Sequence, residues 1–243
     1  MKPLTLILFA CLAYGFTGNM DFVASNNYIC QEGNSQEIPT SDGFGELSFE
    51  NTDHDLLNKT VFQLINKERR KRKVDSVAFS HSLYQVARKN QSLLEFRTFK
   101  NGAKIQTKIN KNLQKTVKDL GFKGGLSTSV AAECNAINYE KGKPFFHLKN
   151  DQENKLGLYY GAKKDLKNPD MTVEKIPNYT YHQFAETLLK SLTSKQKKIL
   201  YSKSYSEMGV QLNWYYKSLH KRRIPQIKVI VIVGGYITAG IRK

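Results

Sequence analysis

Chemistry needs side chains that can move protons, attack a carbon or phosphorus centre, or hold a cation, and this chain is sparing with them. Its five histidines are His54, His81, His147, His182 and His220. No two stand at the i, i+4 spacing that sets a pair of imidazoles on one helix face around a metal. His182 opens a long amphipathic stretch and His147 falls in an irregular one, so these two are the candidates to meet in a cleft. Glu133, in Glu133-Cys134-Asn135, admits two readings. It lines a cleft as an acid/base or as an acceptor for a ligand hydroxyl, or it is structural and pairs with a lysine or caps a helix nitrogen. No G-x-S-x-G elbow occurs, and no cysteine and histidine share the context of a nucleophile pair. Trp214, Tyr215 and Tyr216 either form an aromatic face for a lipid or glycan or pack in the core.

These residues have to be positioned by something, and the organising stretch runs from Tyr181 to Trp214. Phe184, Leu188, Leu189 and Leu192 recur at helical spacing, and Ile199 and Leu200 resume the stripe. From Met208 the period changes to two, and Val210, Leu212 and Trp214 alternate with Gly209, Gln211 and Asn213 as in a strand with one buried face. A helix feeding a strand in this way brings Lys195 and Gln196 near the sheet edge.

Upstream, Thr52 or Asp53 caps a helix carrying Leu57, Val61, Leu64 and Ile65. It runs out in the basic cluster Arg69–Lys73, whose cations complement the negative end of the helix dipole. Ser80 caps a second helix with Leu83, Val86, Ala87, Asn90, Leu93 and Leu94 on one face. A third stripe, Ile105, Ile109, Leu113, Val117 and Leu120, ends at Gly121, where a left-handed C-cap is expected. Residues 141–178, rich in glycine and proline, read as a long insertion with a short strand or two. After a turn over 218–225, the β-branched run Lys228–Val233 suits a central strand covered on both faces. Helices with two late antiparallel strands make an α/β fold, a single-domain α-β-α sandwich with a central, mainly antiparallel sheet over 53–243.

The address lies at the N-terminus. One basic residue precedes the apolar run Leu4–Phe16, and small residues follow, so residues 1–18 read as a secretory signal peptide. Residues 19–52 are polar and without periodicity, an irregular extension. Without the leader, Cys30 and Cys134 remain. In an oxidising compartment they form one disulfide, or else Cys134 is a small buried hydrophobe and Cys30 an incidental thiol. The net charge of +17 bears on partners rather than fold: an anionic membrane surface, an acidic glycan, nucleic acid, or simply a solvated lysine-rich exterior. No aromatic-interleaved nucleic-acid motif accompanies the lysines. Asn58, Asn90 and Asn178 open glycosylation sequons, relevant only to a eukaryotic source.

Three spacings, taken in order, resemble the CAP superfamily (cysteine-rich secretory proteins, antigen 5 and pathogenesis-related proteins), in its bacterial secreted form. They are Asn66-x-x-Arg69 followed by Val77-x-Phe79-Ser80-x-x-Leu83-x-x-x-Ala87, then Glu133-x-Asn135, then Tyr205-Ser206-Glu207-Met208-Gly209-Val210. The resemblance implies an extracellular α-β-α sandwich with a central cleft, which in this family often holds a metal on two histidines and two glutamates. Carried over, the first histidine falls at Phe99-Lys100-Asn101, one glutamate at Glu133, and the second histidine at Lys195 and Gln196. A charged lysine only donates, so it cannot ligate zinc. The tetrad is degenerate, and neither metal nor cofactor is expected.

The resemblance and the charge together imply a secreted, non-enzymatic binding protein, with cleft candidates Glu133, Asn135, His182, Lys195 and Gln196. It would act through a cationic surface or an apolar groove on a lipid, a sterol or an anionic surface. The alternatives are a hydrolase using Glu133 with His147, His182 or a metal, and a basic effector that binds nucleic acid or wall polymer.

Overall fold

A computed structural model describes residues 45–48, 52–90, 102–150, 155–164, 173–219 and 222–237; within these, 102–105, 149–150, 155–156, 216–219 and 222–223 are described by backbone alone. The expected signal peptide, Cys30, His220, Leu93, Leu94 and Phe99-Lys100-Asn101 lie outside the described residues.

The first helix, α1 (His54–Lys71), starts where Asp53 accepts the Leu56 amide at 2.9 Å. Its Leu57, Val61, Leu64 and Ile65 are buried as the stripe requires. A two-residue strand, β1 (Ala78–Phe79), leads into α2 (His81–Lys89). Ser80 stands at the N-cap, but its side chain makes no cap bond; its backbone amide donates to Met208 O instead. Next comes α3 (Gly102–Asp119), closed by Gly121 at φ +85°. Only glycine takes that left-handed conformation at no steric cost.

A strand not expected from the sequence follows, β2 (Leu126–Asn135). The insertion folds back as a hairpin, β3 (Phe145–Asn150) and β4 (Lys155–Tyr160), built on its two apolar islands. The long helical stretch is two helices, α4 (Tyr181–Ser191) and α5 (Ser194–Leu200), where one was expected. Thr180 with Gln183, and Thr193 with Gln196, each form a capping box. The second box restarts the chain at a new angle, because a hydroxyl accepting the N3 amide stabilises a helix beginning. Then β5 (Glu207–Leu219) and β6 (Arg222–Gly235) pair antiparallel along their whole length. Pro225, expected in a turn, lies inside β6 and leaves its carbonyl to the Ala136 amide.

The main sheet has the order β1-β5-β6-β2. Only the β1–β5 pair is parallel. The fold is α/β, with helices on both faces of a mainly antiparallel sheet. One core joins α1 and α4 to Val130, Ala132, Met208, Val210, Leu212 and the odd-numbered residues 227–233 of β6. The other joins α2 and α3 to Ala131, Ile230 and Ile232. Alternation along β6 points its side chains from 227 to 233 to one face of the sheet or the other.

Two details fix the layers. A Cβ at Gly209 would fall 2.1 Å from the Tyr84 backbone nitrogen, so α2 rests directly on β5. Leu47, in the stretch read as an irregular extension, is buried in the first core, and its amide donates to Tyr179 O at 2.7 Å. Among the described residues no helix is long and apolar enough to cross a membrane.

Arg69 has a different role from the one its position suggests. Only 1% exposed, it donates to the carbonyls of Asp75, Leu200, Ser202 and Tyr205 at 2.6–3.1 Å. Its planar fork ties the end of α1 to the chain between α5 and β5, a use for which arginine suits better than lysine. Nearby, Asn66 bonds both the amide and the carbonyl of Val77.

Candidate functional site

Glu133 is the chemistry-bearing residue around which other polar groups gather. It lies on the α2/α3 face of the sheet, because β2 sends 129, 131, 133 and 135 that way. The strand register sets Asn213, Lys228 and Glu133 side by side across β5, β6 and β2. One pleat further along stand Tyr215, Gln226 and Asn135. The result is a polar band two rows deep. Ile230 and Ile232 of the second core bound it on one side. A small cluster of Ile137, Ile224, Phe145, Leu158 and Ile176 bounds it on the other.

The band is tightly bonded. Tyr215 Oη donates to Glu133 Oε2 at 2.7 Å, and Gln226 Nε2 donates to Asn135 Oδ1. Lys228, 1% exposed, holds its Nζ 3.9 Å from the centre of the Tyr215 ring, a cation–π contact in a site with little water. Burial pushes the Lys228 ammonium below its ordinary value, and the charge of Glu133 pulls it back up. Tyr215 is held far above the usual tyrosine range, first by burial, then by its bond to Glu133 and that carboxylate's charge. Tyr215 is therefore a neutral donor at physiological pH. Beside the band, Gln211 is 6% exposed, and its Oε1 has no hydrogen-bond partner. On the opposite face burial pushes the Cys134 thiol up to about 12, so it is an inert hydrophobe. It is a free thiol here, and its expected disulfide partner Cys30 lies outside the described residues.

Of the cleft candidates, the structure brings Glu133 and Asn135 together through Tyr215 and Gln226. Gln196 lies at the border, its Nε2 donating 2.7 Å to the Ala131 carbonyl on the outer edge of β2. Lys195 is exposed on α5. His182 starts α4, in the other layer, with Nδ1 3.8 Å from Glu186 Oε1. His147 sits in the hairpin, edge-on to Phe145. The sequence reading missed Lys228, Gln226 and Gln211 as members of the band, and it named Tyr215 as a residue of an aromatic face or of the core, not as a partner of Glu133. Their signal was alternation along each strand, which points odd-numbered residues of β5 and even-numbered residues of β6 to one face.

The metal implied by the resemblance does not fit these residues. Around Glu133 stand a phenol, amides and an ammonium, and the ammonium supplies the positive charge that a cation would bring. Among the described residues no group of three His, Cys, Asp or Glu could hold a metal ion.

No protein-family model and no curated protein matches the chain. Among solved structures, a cysteine-rich secretory protein from Staphylococcus aureus subsp. aureus Mu50 is similar over 75% of this chain, at 8% identity and a TM-score of 0.36. The matched part is 39% of that chain's length.

Proposed function

We propose that this chain is a secreted, CAP-like binding protein that acts without catalysis, holding an anionic partner on its cationic exterior. The observation that carries the reading is the Arg69 junction. It brings the basic end of α1 (Arg70, Lys71, Arg72, Lys73) against the loop bearing Lys203, a run of charge and a single lysine far apart in sequence. Arg72 lies 4.5 Å over the Tyr201 ring, which holds its guanidinium at the surface of the junction. The polar band supports the same reading from inside. Glu133 already accepts from Tyr215 and faces the Lys228 charge, so its role is to hold three strands together.

Retention on a sulfated polysaccharide matrix tests this. The protein should bind at low ionic strength and elute as salt shortens the Debye length to about 3 Å near 1 M. Charge reversal at Arg72 and Lys203 should move elution to lower salt. Passage through the matrix unretained at low salt would overturn the reading.

A further inference from the structure

Among the described residues, the exposed large apolar side chains all sit at one end of the sandwich: Leu126 (39% exposed), Tyr236 (53%) and Ile237 (66%). Leu126 opens β2 opposite Gly235, and the Ile237 side chain lies over Gly125, within 2.6 Å of where a Cβ would stand. Tyr236 packs 6.0 Å from Phe122 and donates to Glu207.

This apolar tip is the same end that carries the basic junction. The carbonyl of Ser204 would touch a Cβ at Gly235, and the Ser206 amide donates to Gly234 O, so exposed Lys203 flanks Tyr236. On the other side exposed Lys123 stands two residues before Gly125, which the Ile237 side chain covers, and Lys118 is in the last turn of α3. Two of the acidic residues at this end are engaged: Glu68 by Lys71, and Glu207 by Tyr236. Asp75 and Asp119 are exposed there as well. Helix-dipole complementarity explains cations in the last turns of α1 and α3. It does not explain three apolar side chains left in water between them.

Resting on the binding reading above, we propose that this end docks on an anionic lipid bilayer. Leu126, Tyr236 and Ile237 enter the headgroup boundary, and Lys123, Lys203 and the end of α1 lie against anionic headgroups. An apolar tip flanked by cations fits an interface that is apolar at depth and negative at its surface. A soluble polyanion would use the cations and leave the tip in water.

The test is co-flotation of the full chain with phosphatidylcholine vesicles, with and without phosphatidylglycerol, beside retention on sulfated polysaccharide. Wild type should bind the anionic vesicles and retain part of that binding at about 1 M salt, where charge alone is screened. Leu126→Ser with Ile237→Ser, both at exposed positions, should lower vesicle partition about tenfold while leaving polysaccharide retention unchanged. Lys123→Glu with Lys203→Glu should lower both, by at least about tenfold for vesicles. Lys141→Glu, beyond the opposite end of β2, should change vesicle partition little. If the serine variant floats like wild type, or salt abolishes all vesicle binding, the apolar tip is not inserted and the proposal falls while the cationic reading stands. Failure to bind either vesicles or polysaccharide overturns both.

Discussion

Among the described residues two cations are buried, Arg69 and Lys228, each 1% exposed, and they are held in opposite ways. Arg69 is surrounded by carbonyls, four of which its fork reaches at once, in a junction of loops and helix ends. Lys228 stands mid-strand in the sheet, facing a carboxylate and a ring. The first arrangement depends on shape: a planar group with fixed donors reaches four backbone acceptors at once. The second depends on charge, a single ammonium balanced against Glu133. Geometry should therefore be irreplaceable in one place and compensable in the other.

The largest effect is expected from Arg69→Lys. A lysine keeps the charge but cannot reach four carbonyls, and buried acceptors left unpaired should cost about 3–5 kcal/mol in urea unfolding. A cost under about 1 kcal/mol would show that charge, not shape, is what the junction needs.

Glu133→Gln and Lys228→Met should each cost about 1–3 kcal/mol, the partial exposure of the carboxylate keeping the figure low. Together they should cost less than their sum, because removing both charges leaves neither unbalanced; a coupling under about 0.5 kcal/mol would break the comparison.

The smallest effect is on pH dependence. Burial holds the folded-state value of Lys228 below 10.5, so between that value and 10.5 the unfolded chain binds more protons. Stability contributed by the wild-type lysine is lowest below that window and rises with pH through it. Wild type should gain on Lys228→Met as pH climbs from neutrality toward 10.5; burial lowers Arg69 as well, but from a higher ordinary value than a lysine's. A gap that widens against wild type would reverse the assignment.

Much of the fold was legible because period and punctuation agree. The stripes of α1 and α2, the Gly121 stop and the Lys228–Val233 run follow from spacing alone. What was illegible has physical causes. After Leu126, strand β2 reads S-T-S-V-A-A-E-C-N, small and polar, because α3 presses on one face and an edge needs no large side chains. The break at Thr193 falls in the polar gap between Leu192 and Ile199, across which the apolar stripe resumes, and the T-x-x-Q box marks it. Within the site, Glu133 and Asn135 were visible from their motif. Their neighbours were not, because Gln211, Gln226 and Lys228 are residue types expected in water and their burial follows from strand pairing. His182 was expected near Glu133, but α4 lies on the opposite layer. Asn58, the asparagine of one sequon, faces inward at 6% exposure and is closed to a glycan.

The close seat of α2 on Gly209 has one more consequence. It acts as an index mark for the β5–β6 hairpin: sliding β5 by one position would drive Met208 or Val210 into the Leu83–Tyr84 main chain. Every polar side chain downstream inherits its orientation from that mark. A single inserted residue between Gly209 and Asn213 would turn Asn213 and Tyr215 toward the greasy layer and dismantle the band without touching any member of it.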